Sequence, residues 1–355
     1  MIKLISAGAG SGKTYRLTQE MVGLLTTGTR ASGIIATTFT AKAAAELEER
    51  VRTKLLEEGL TEQANDLSNA LIGTVHGLGV KLLKRFAFEA GVSPQVSIIA
   101  DEDSQIFFNQ SLAQILTYER VDRINDLCDR LGLTKKAGTY DWRSNVRQIV
   151  DVARANAFNI SVLEKSKIRS FESFQEFLGD PLSIENYNSQ LLDLINASIE
   201  LLETSGDTTK VTADGIGELK TMRNELRSRG TLHWHQWVKL MKTKVGAKAK
   251  QHLEPLVEFC GQHTQFVEFQ TDIREFIYKI FDIAAEAMKE YDRFKLQRGL
   301  IDYTDMEVLV RDLIQDPSVK MVLKDELDLL MVDEFQDTSP IQLDLFLKLS
   351  KIAKD

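Results

Sequence analysis

The run Ala7-Gly8-Ala9-Gly10-Ser11-Gly12-Lys13-Thr14 constrains this chain more than any other stretch. Gly8, Gly10 and Gly12 let the backbone curl until successive N–H groups converge, which is how a main chain cradles phosphate oxygens. A short apolar lead-in, Lys3-Leu4-Ile5-Ser6, reads as a buried strand, and Leu17, Met21 and Leu24 follow at helical spacing. The N-terminus of that helix adds its dipole to the cradle. Lys13 is therefore expected to reach the β- and γ-phosphates of a nucleotide, and the Thr14 hydroxyl to ligate magnesium. The strict P-loop pattern begins with Gly where this chain has Ala7, but the small residues needed for the curl are retained.

Strand and helix patterns then alternate. Gly33-Ile34-Ile35-Ala36-Thr37 and Ala70-Leu71-Ile72-Gly73-Thr74-Val75 read as buried strands. Between them the Ala- and Glu-rich run from Ala41 to Glu58 is a strong helix former, and Leu78, Leu82, Leu83 and Phe86 mark another helix. Such alternation implies a parallel sheet with helices on both faces. The rhythm stops near Gly91. From Ser104 to Phe294 the periodic segments are helical, the clearest being the stripe from Phe266 through Ile273, Ile280 and Ala287 to Phe294, read as one face of a long core helix. Loops are expected over 132–138, 204–209 and 244–248. Strand character returns at Asp328-Leu329-Leu330-Met331-Val332, and a helix starts near Pro340. The expected fold is thus α/β, a P-loop parallel sheet interrupted by a large all-helical insertion. Its α/β part is 1–90 plus 295–355 and the insertion is 91–294.

The apolar strand ending at Val332 delivers Asp333 and Glu334 to its tip. A carboxylate there is the expected second holder of magnesium, and an adjacent Glu can deprotonate an attacking water. A length of 355 residues allows two domains. No apolar run approaches the roughly 20 residues that cross a membrane, so a cytoplasmic protein is expected. Cys128 and Cys260 imply no disulfide framework, and His252, Cys260 and His263 lack the spacing and fourth ligand of a zinc site. The net charge of −8 does not advertise a nucleic-acid binder, but contact depends on where the basic residues sit. The run Lys239, Lys242, Lys244, Lys248, Lys250, preceded by Trp234 and Trp237, reads as a solvated helix face over aromatic anchors, with duplex contact as the alternative.

The hexapeptide Asp333-Glu334-Phe335-Gln336-Asp337-Thr338 resembles the Walker B motif of UvrD/Rep-type superfamily 1 DNA helicases. Its continuation through Ser339, Pro340 and Gln342 is most similar to helicase–nuclease relatives of the AddA and exonuclease V beta-subunit type. The run Thr38-Phe39-Thr40-Ala41-Lys42-Ala43-Ala44-Ala45-Glu46-Leu47 resembles the family's motif Ia, and Gly73-Thr74-Val75-His76-Gly77-Leu78 its motif Ib. Ile301-Asp302-Tyr303-Thr304-Asp305-Met306 resembles the segment that re-enters the motor domain before Walker B.

The resemblance implies a RecA-like domain 1A carrying a helical domain 1B, ATP and Mg2+ as cofactors, and 3′ to 5′ movement along single-stranded DNA in repair or recombination. Catalysis would fall to Lys13, Asp333, Glu334 and Gln336, ATP binding to Ala7 through Thr14, and magnesium to Thr14 and Asp333. Phe39, Thr40, Lys42, Thr74, His76 and Gly77 would line the DNA track, hydroxyls and Lys holding phosphates while the aromatic ring stacks on bases. Partners would be single-stranded DNA, single/double-strand junctions and a helicase–nuclease partner subunit, with no membrane.

Two features depart from the family pattern. The six residues before Ala7 hold no Gln-bearing segment to read adenine, and no second RecA-like domain follows Walker B. The expectation is of a motor half that binds nucleotide and hydrolyses it poorly, because charge stabilisation from the far side is missing. Two alternatives are a helicase subunit of a helicase–nuclease complex and a nucleotide-dependent DNA-binding module without motor activity.

Overall fold

A computed structural model describes residues 3–5, 12–134 and 140–353. By compactness the chain divides into two units. The first comprises 1–111, 151–158 and 291–355, the second 112–150 and 159–290. Relative to an α/β part made of 1–90 and 295–355, the first unit also takes in 91–111, 151–158 and 291–294.

In chain order, the elements open with α1 (Lys13–Thr26), β1 (Ile34–Thr38), α2 (Ala41–Glu57), α3 (Thr61–Asp66), β2 (Leu71–Thr74) and α4 (Val75–Arg85). Next come β3 (Ser97–Ile98), α5 (Asp101–Ala113), α6 (Tyr118–Leu131), α7 (Trp142–Ala155), α8 (Ile160–Leu178), α9 (Tyr187–Thr204) and α10 (Lys210–Arg229). The chain continues with α11 (Trp234–Met241), α12 (Glu254–Gly261), α13 (Val267–Gln297), β4 (Leu300–Ile301), α14 (Tyr303–Leu313), α15 (Pro317–Glu326), β5 (Leu329–Val332) and α16 (Pro340–Ser350).

The first unit is built on a parallel sheet of order β2-β1-β5. Alternate residues of each strand point to opposite faces. Ile34 and Ala36 of β1, with Leu329 of β5, join Met21 and Leu25 of α1 and Leu47, Val51 and Leu55 of α2 in one buried cluster. Ile35 faces the other way, into a cluster with Leu78 and Leu82 of α4, Met306 and Val310 of α14, Leu323 of α15 and Leu345 of α16. Helices therefore cover both faces, and each fully buried Leu or Ile contributes about 1.5–3 kcal/mol. The expected first strand differs: Lys3 to Ile5 carry no strand assignment, and Ser6 lies outside the described residues. Leu4 is 80% exposed, so it lacks the burial that its apolar pattern implied. A second small parallel pair joins β3 to β4, and its two-residue strands leave no readable period in the sequence.

A charged cluster ties 151–158 to the rest of the first unit. Arg154 donates to both Asp302 oxygens, at 2.7 and 2.8 Å, and to Asp305 at 2.7 Å. Lys295 adds a 3.2 Å bond to Asp302, which also caps α14 through the Asp305 N–H. Burial disfavours the charged Asp302, but the Arg154 guanidinium outweighs it and holds the carboxyl well below the usual range.

The described elements of the second unit are helical. Leu191 and Ile195 of α9, Leu219 of α10, Trp237 of α11, Leu256 of α12 and Phe266 form its core. The aromatic anchors of the basic run are thus core residues, Trp237 being fully buried. Lys239 pairs with Glu218 at 3.1 Å, whereas Lys242, Lys244, Lys248 and Lys250 are not buried. The expected loop at 132–138 lies in part outside the described residues. No helix among the described residues is long and apolar enough to cross a membrane.

Candidate nucleotide site and nucleic-acid face

Gly12 precedes α1 with φ 82°, a left-handed conformation that favours glycine. The turn aims the first N–H groups of α1 out of its N-terminus, beside the Lys13 side chain. The expected cradle residues Ala7, Gly8, Ala9, Gly10 and Ser11 lie outside the described residues. Thr14 is half-buried, and its carbonyl accepts from the Thr18 hydroxyl at 2.9 Å.

Lys13 meets the tip of β5. Its Nζ donates to both Glu334 oxygens, at 3.0 and 2.9 Å, across 321 residues of sequence. The Gln336 amide also donates to Glu334, and to Asp337 at 3.3 Å. The hydrogen bond to Glu334 raises the Lys13 pKa above that of an ordinary lysine, against a smaller opposing effect of burial. Lys13 and Gln336 together hold the Glu334 carboxyl below the usual range. Both partners are therefore ionised at neutral pH. Glu334 sits at φ 51°, ψ 43°, where a non-glycine residue is strained by about 1–2 kcal/mol.

Asp333 continues the ladder, its N–H donating to the Thr37 carbonyl at 2.9 Å. Its Oδ1 accepts from the Glu334 N–H at 3.0 Å, and Oδ2 has no hydrogen-bond partner among the described residues. A carboxylate oxygen so placed, together with a threonine hydroxyl, is the hard oxygen donor set that magnesium takes. Of the expected catalytic residues, Lys13, Glu334 and Gln336 meet directly and Asp333 adjoins them.

The other expected residues leave the same edge of the sheet. Thr38 of β1 is in register with Thr74 of β2, so Phe39, Thr40 and Lys42 emerge next to Thr74, His76 and Gly77. Val332 pairs with Thr37 on the opposite side of β1, so Asp333 leaves beside it. The carboxyl ends of parallel strands are where ligands dock in open α/β sheets. Phe39 is 72% exposed, too much for a core residue, and Lys42 is exposed. Thr40 caps α2 by accepting from the Ala43 N–H at 3.1 Å, and Thr74 caps α4 by accepting from the Gly77 N–H at 3.0 Å. Each hydroxyl accepts in its cap and so keeps its own proton to donate.

His76 is neither cap nor core. Its ring stacks on Tyr303, centroids 4.1 Å apart and planes at 16°, and its Nε2 lies 3.3 Å from Glu307 Oε1. Sequence reasoning missed Glu307. The available signal was a carboxylate among Met306, Val310 and Leu313 on the buried side of α14.

A helix that starts at Gly12, a paired Lys13 and Glu334 at the tip of β5, and an exposed Phe39 beside two capping threonines thus share one edge of a parallel α/β sheet. The N-terminal domain of UvrD/REP helicases matches residues 2–354, and the chain belongs to that family. Among curated proteins it is similar to an ATP-dependent helicase/nuclease subunit of Lactococcus lactis subsp. lactis (strain IL1403), with 26% identity over 96% of this chain and 32% of that protein. Exonuclease/helicase subunit RexA of Lactococcus lactis subsp. cremoris (strain MG1363) shares 26% identity over the same proportions. The corresponding ATP-dependent helicase/nuclease protein of Streptococcus pneumoniae (strain ATCC 700669 / Spain 23F-1) shares 24% over 96% of this chain and 32% of its own length. The chain thus spans about a third of the length of the curated relatives it matches.

Proposed function

We propose that this chain is the ATP-binding portion of an ATP-dependent DNA helicase that moves 3′ to 5′ on single-stranded DNA during repair or recombination. The observation that carries this reading is the convergence of Lys13, Glu334 and Gln336 at one side of β1, with Phe39 and the first turn of α4 that bears His76 on the same sheet edge. The first unit is the motor domain and the helical second unit its insertion.

Ala7 through Thr14 hold the phosphates, Lys13 neutralising the outer ones. Thr14 and Asp333 hold magnesium, which when bound screens phosphate charge. Glu334 takes the proton of the attacking water, and Gln336, bonded to Glu334, reports the outer phosphate to the DNA side. Phe39 stacks on bases, while Thr40, Lys42, Thr74, His76 and Gly77 contact the backbone or its neighbouring bases.

The test is magnesium-dependent ATP hydrolysis measured with and without single-stranded DNA. Turnover, slow or fast, should drop by about 10²–10⁴ in Glu334→Gln with nucleotide binding retained. Equal turnover in that variant would remove Glu334 from the reaction. A DNA-binding module without motor activity would instead bind nucleotide and DNA while wild-type turnover stayed at background.

The names of the similar proteins favour a refinement: a helicase subunit working with a nuclease. Nuclease activity co-purifying with the native protein from its own cells supports it, and its absence from an otherwise active helicase preparation opposes it.

A further inference from the structure

The Glu307 carboxylate of α14 lies between His76 of α4 and Gln342 of α16. It is 7% exposed, and a charge so enclosed needs donors. Its Oε1 accepts from the Gln342 side-chain amide and lies 3.3 Å from His76 Nε2. An acceptor-only carboxylate at that nitrogen selects the Nε2–H tautomer and fixes the ring plane, which Tyr303 supports from its face. Gln342 is equally tied down. It stands in the capping box of α16, its Oε1 accepting from the Ser339 N–H at 3.3 Å while its N–H donates to Ser339 Oγ at 3.2 Å. Ser339 is five residues from Glu334, and a single helical turn (Phe335–Asp337) intervenes. Bonded groups therefore run from the carboxylate that holds Lys13, through the start of α16 and Glu307, to the ring of His76.

We propose that Glu307 is a positioning residue that couples the nucleotide site to the DNA track. A shift of the 334–339 segment when Lys13 leaves Glu334 for phosphate, and Glu334 takes a water in its place, moves Gln342, and Glu307 hands that movement to His76. This rests on the reading that His76 faces DNA.

The experiment measures binding of fluorescent oligothymidylate to the full chain, with and without a magnesium-bound non-hydrolysable ATP analogue, in wild type, Glu307→Leu, Glu307→Gln and His76→Ala. Wild type should show a nucleotide-dependent change in DNA affinity of about fivefold or more. In Glu307→Leu that factor should fall below about twofold. Glu307→Gln, which can still accept from Gln342, should recover at least half of it. The Glu307→Leu, His76→Ala double variant should be no worse than His76→Ala alone. A purely structural role would instead lower the melting temperature and leave the coupling factor intact. If Glu307→Leu does not fold, Gln342→Ala is read in its place and should lose coupling in the same way.

Absence of coupling in wild type, or unchanged coupling in both Glu307→Leu and Gln342→Ala, overturns the proposal. Unchanged DNA affinity in His76→Ala sinks instead the reading of His76 on which it rests.

Discussion

Phe39 and Thr40 are neighbours with different duties, and substitution separates them. Phe39, 72% exposed, stabilises little by burial. Phe39→Ala should leave the melting temperature unchanged while weakening oligothymidylate binding by about 1–3 kcal/mol, the worth of one stacked base. The Thr40 side chain accepts from the Ala43 N–H. Thr40→Ala should therefore cost about 1 kcal/mol of stability from the lost cap, in addition to weaker DNA binding. Equal stability losses in thermal melts of the two variants would contradict this division. The same economy runs through Thr74, whose cap on α4 also presents His76 and Gly77 to the sheet edge.

At the scale of elements, the sheet depends on close approaches that only small residues allow. A Cβ on Gly33 would lie 2.7 Å from both the Glu326 carbonyl oxygen and the Asp328 carboxylate. That carboxylate is held by Arg30 at 2.7 Å, so it cannot swing away freely. Gly33→Ala should destabilise by about 1–3 kcal/mol in denaturant melts, and a change under about 0.5 kcal/mol would show that the junction can yield. Much of this architecture was legible. The strands over 34–38, 71–74 and 329–332 and the helix over 41–57 fall within a residue or so of their patterns, because buried strands and an Ala-rich helix carry strong local signals. The Lys13–Glu334 pair was foreshadowed by motif but not as a contact, since 321 residues separate the partners. The run Lys3 to Ser6 is too short to fix a period, and Leu4 and Ile5 alone do not make Lys3 to Ile5 a strand. Glu307 was illegible for another reason: a lone Glu on a helix defaults to solvent, and only the fold brings Gln342 and His76 to it.

At the scale of the molecule, the first unit is assembled from three separate stretches of chain. Arg154, on the shortest, reaches Asp302 and Asp305 near the start of the last. Removing one member of a buried charge cluster leaves the others unpaired, so Arg154→Met should cost about 3 kcal/mol. The pH dependence has a definite sign. The folded Asp302 pKa is depressed, so its stabilisation is complete above the unfolded value of about 3.9 and is lost as pH falls through the folded one. Wild-type melting temperature should therefore drop steeply in acid, and the drop should be shallower in Arg154→Met. Parallel curves would mean that Asp302 does not owe its low pKa to Arg154. Above all of this stands the claim that Lys13 anchors a nucleotide at the tip of β5. Calorimetric titration of magnesium–ATP analogue into wild type and Lys13→Ala tests it most directly. Saturable binding that weakens by about tenfold or more in the variant is the predicted result, the loss of a charge-assisted bond. Identical isotherms for the two proteins would contradict it and leave the P-loop without its ligand.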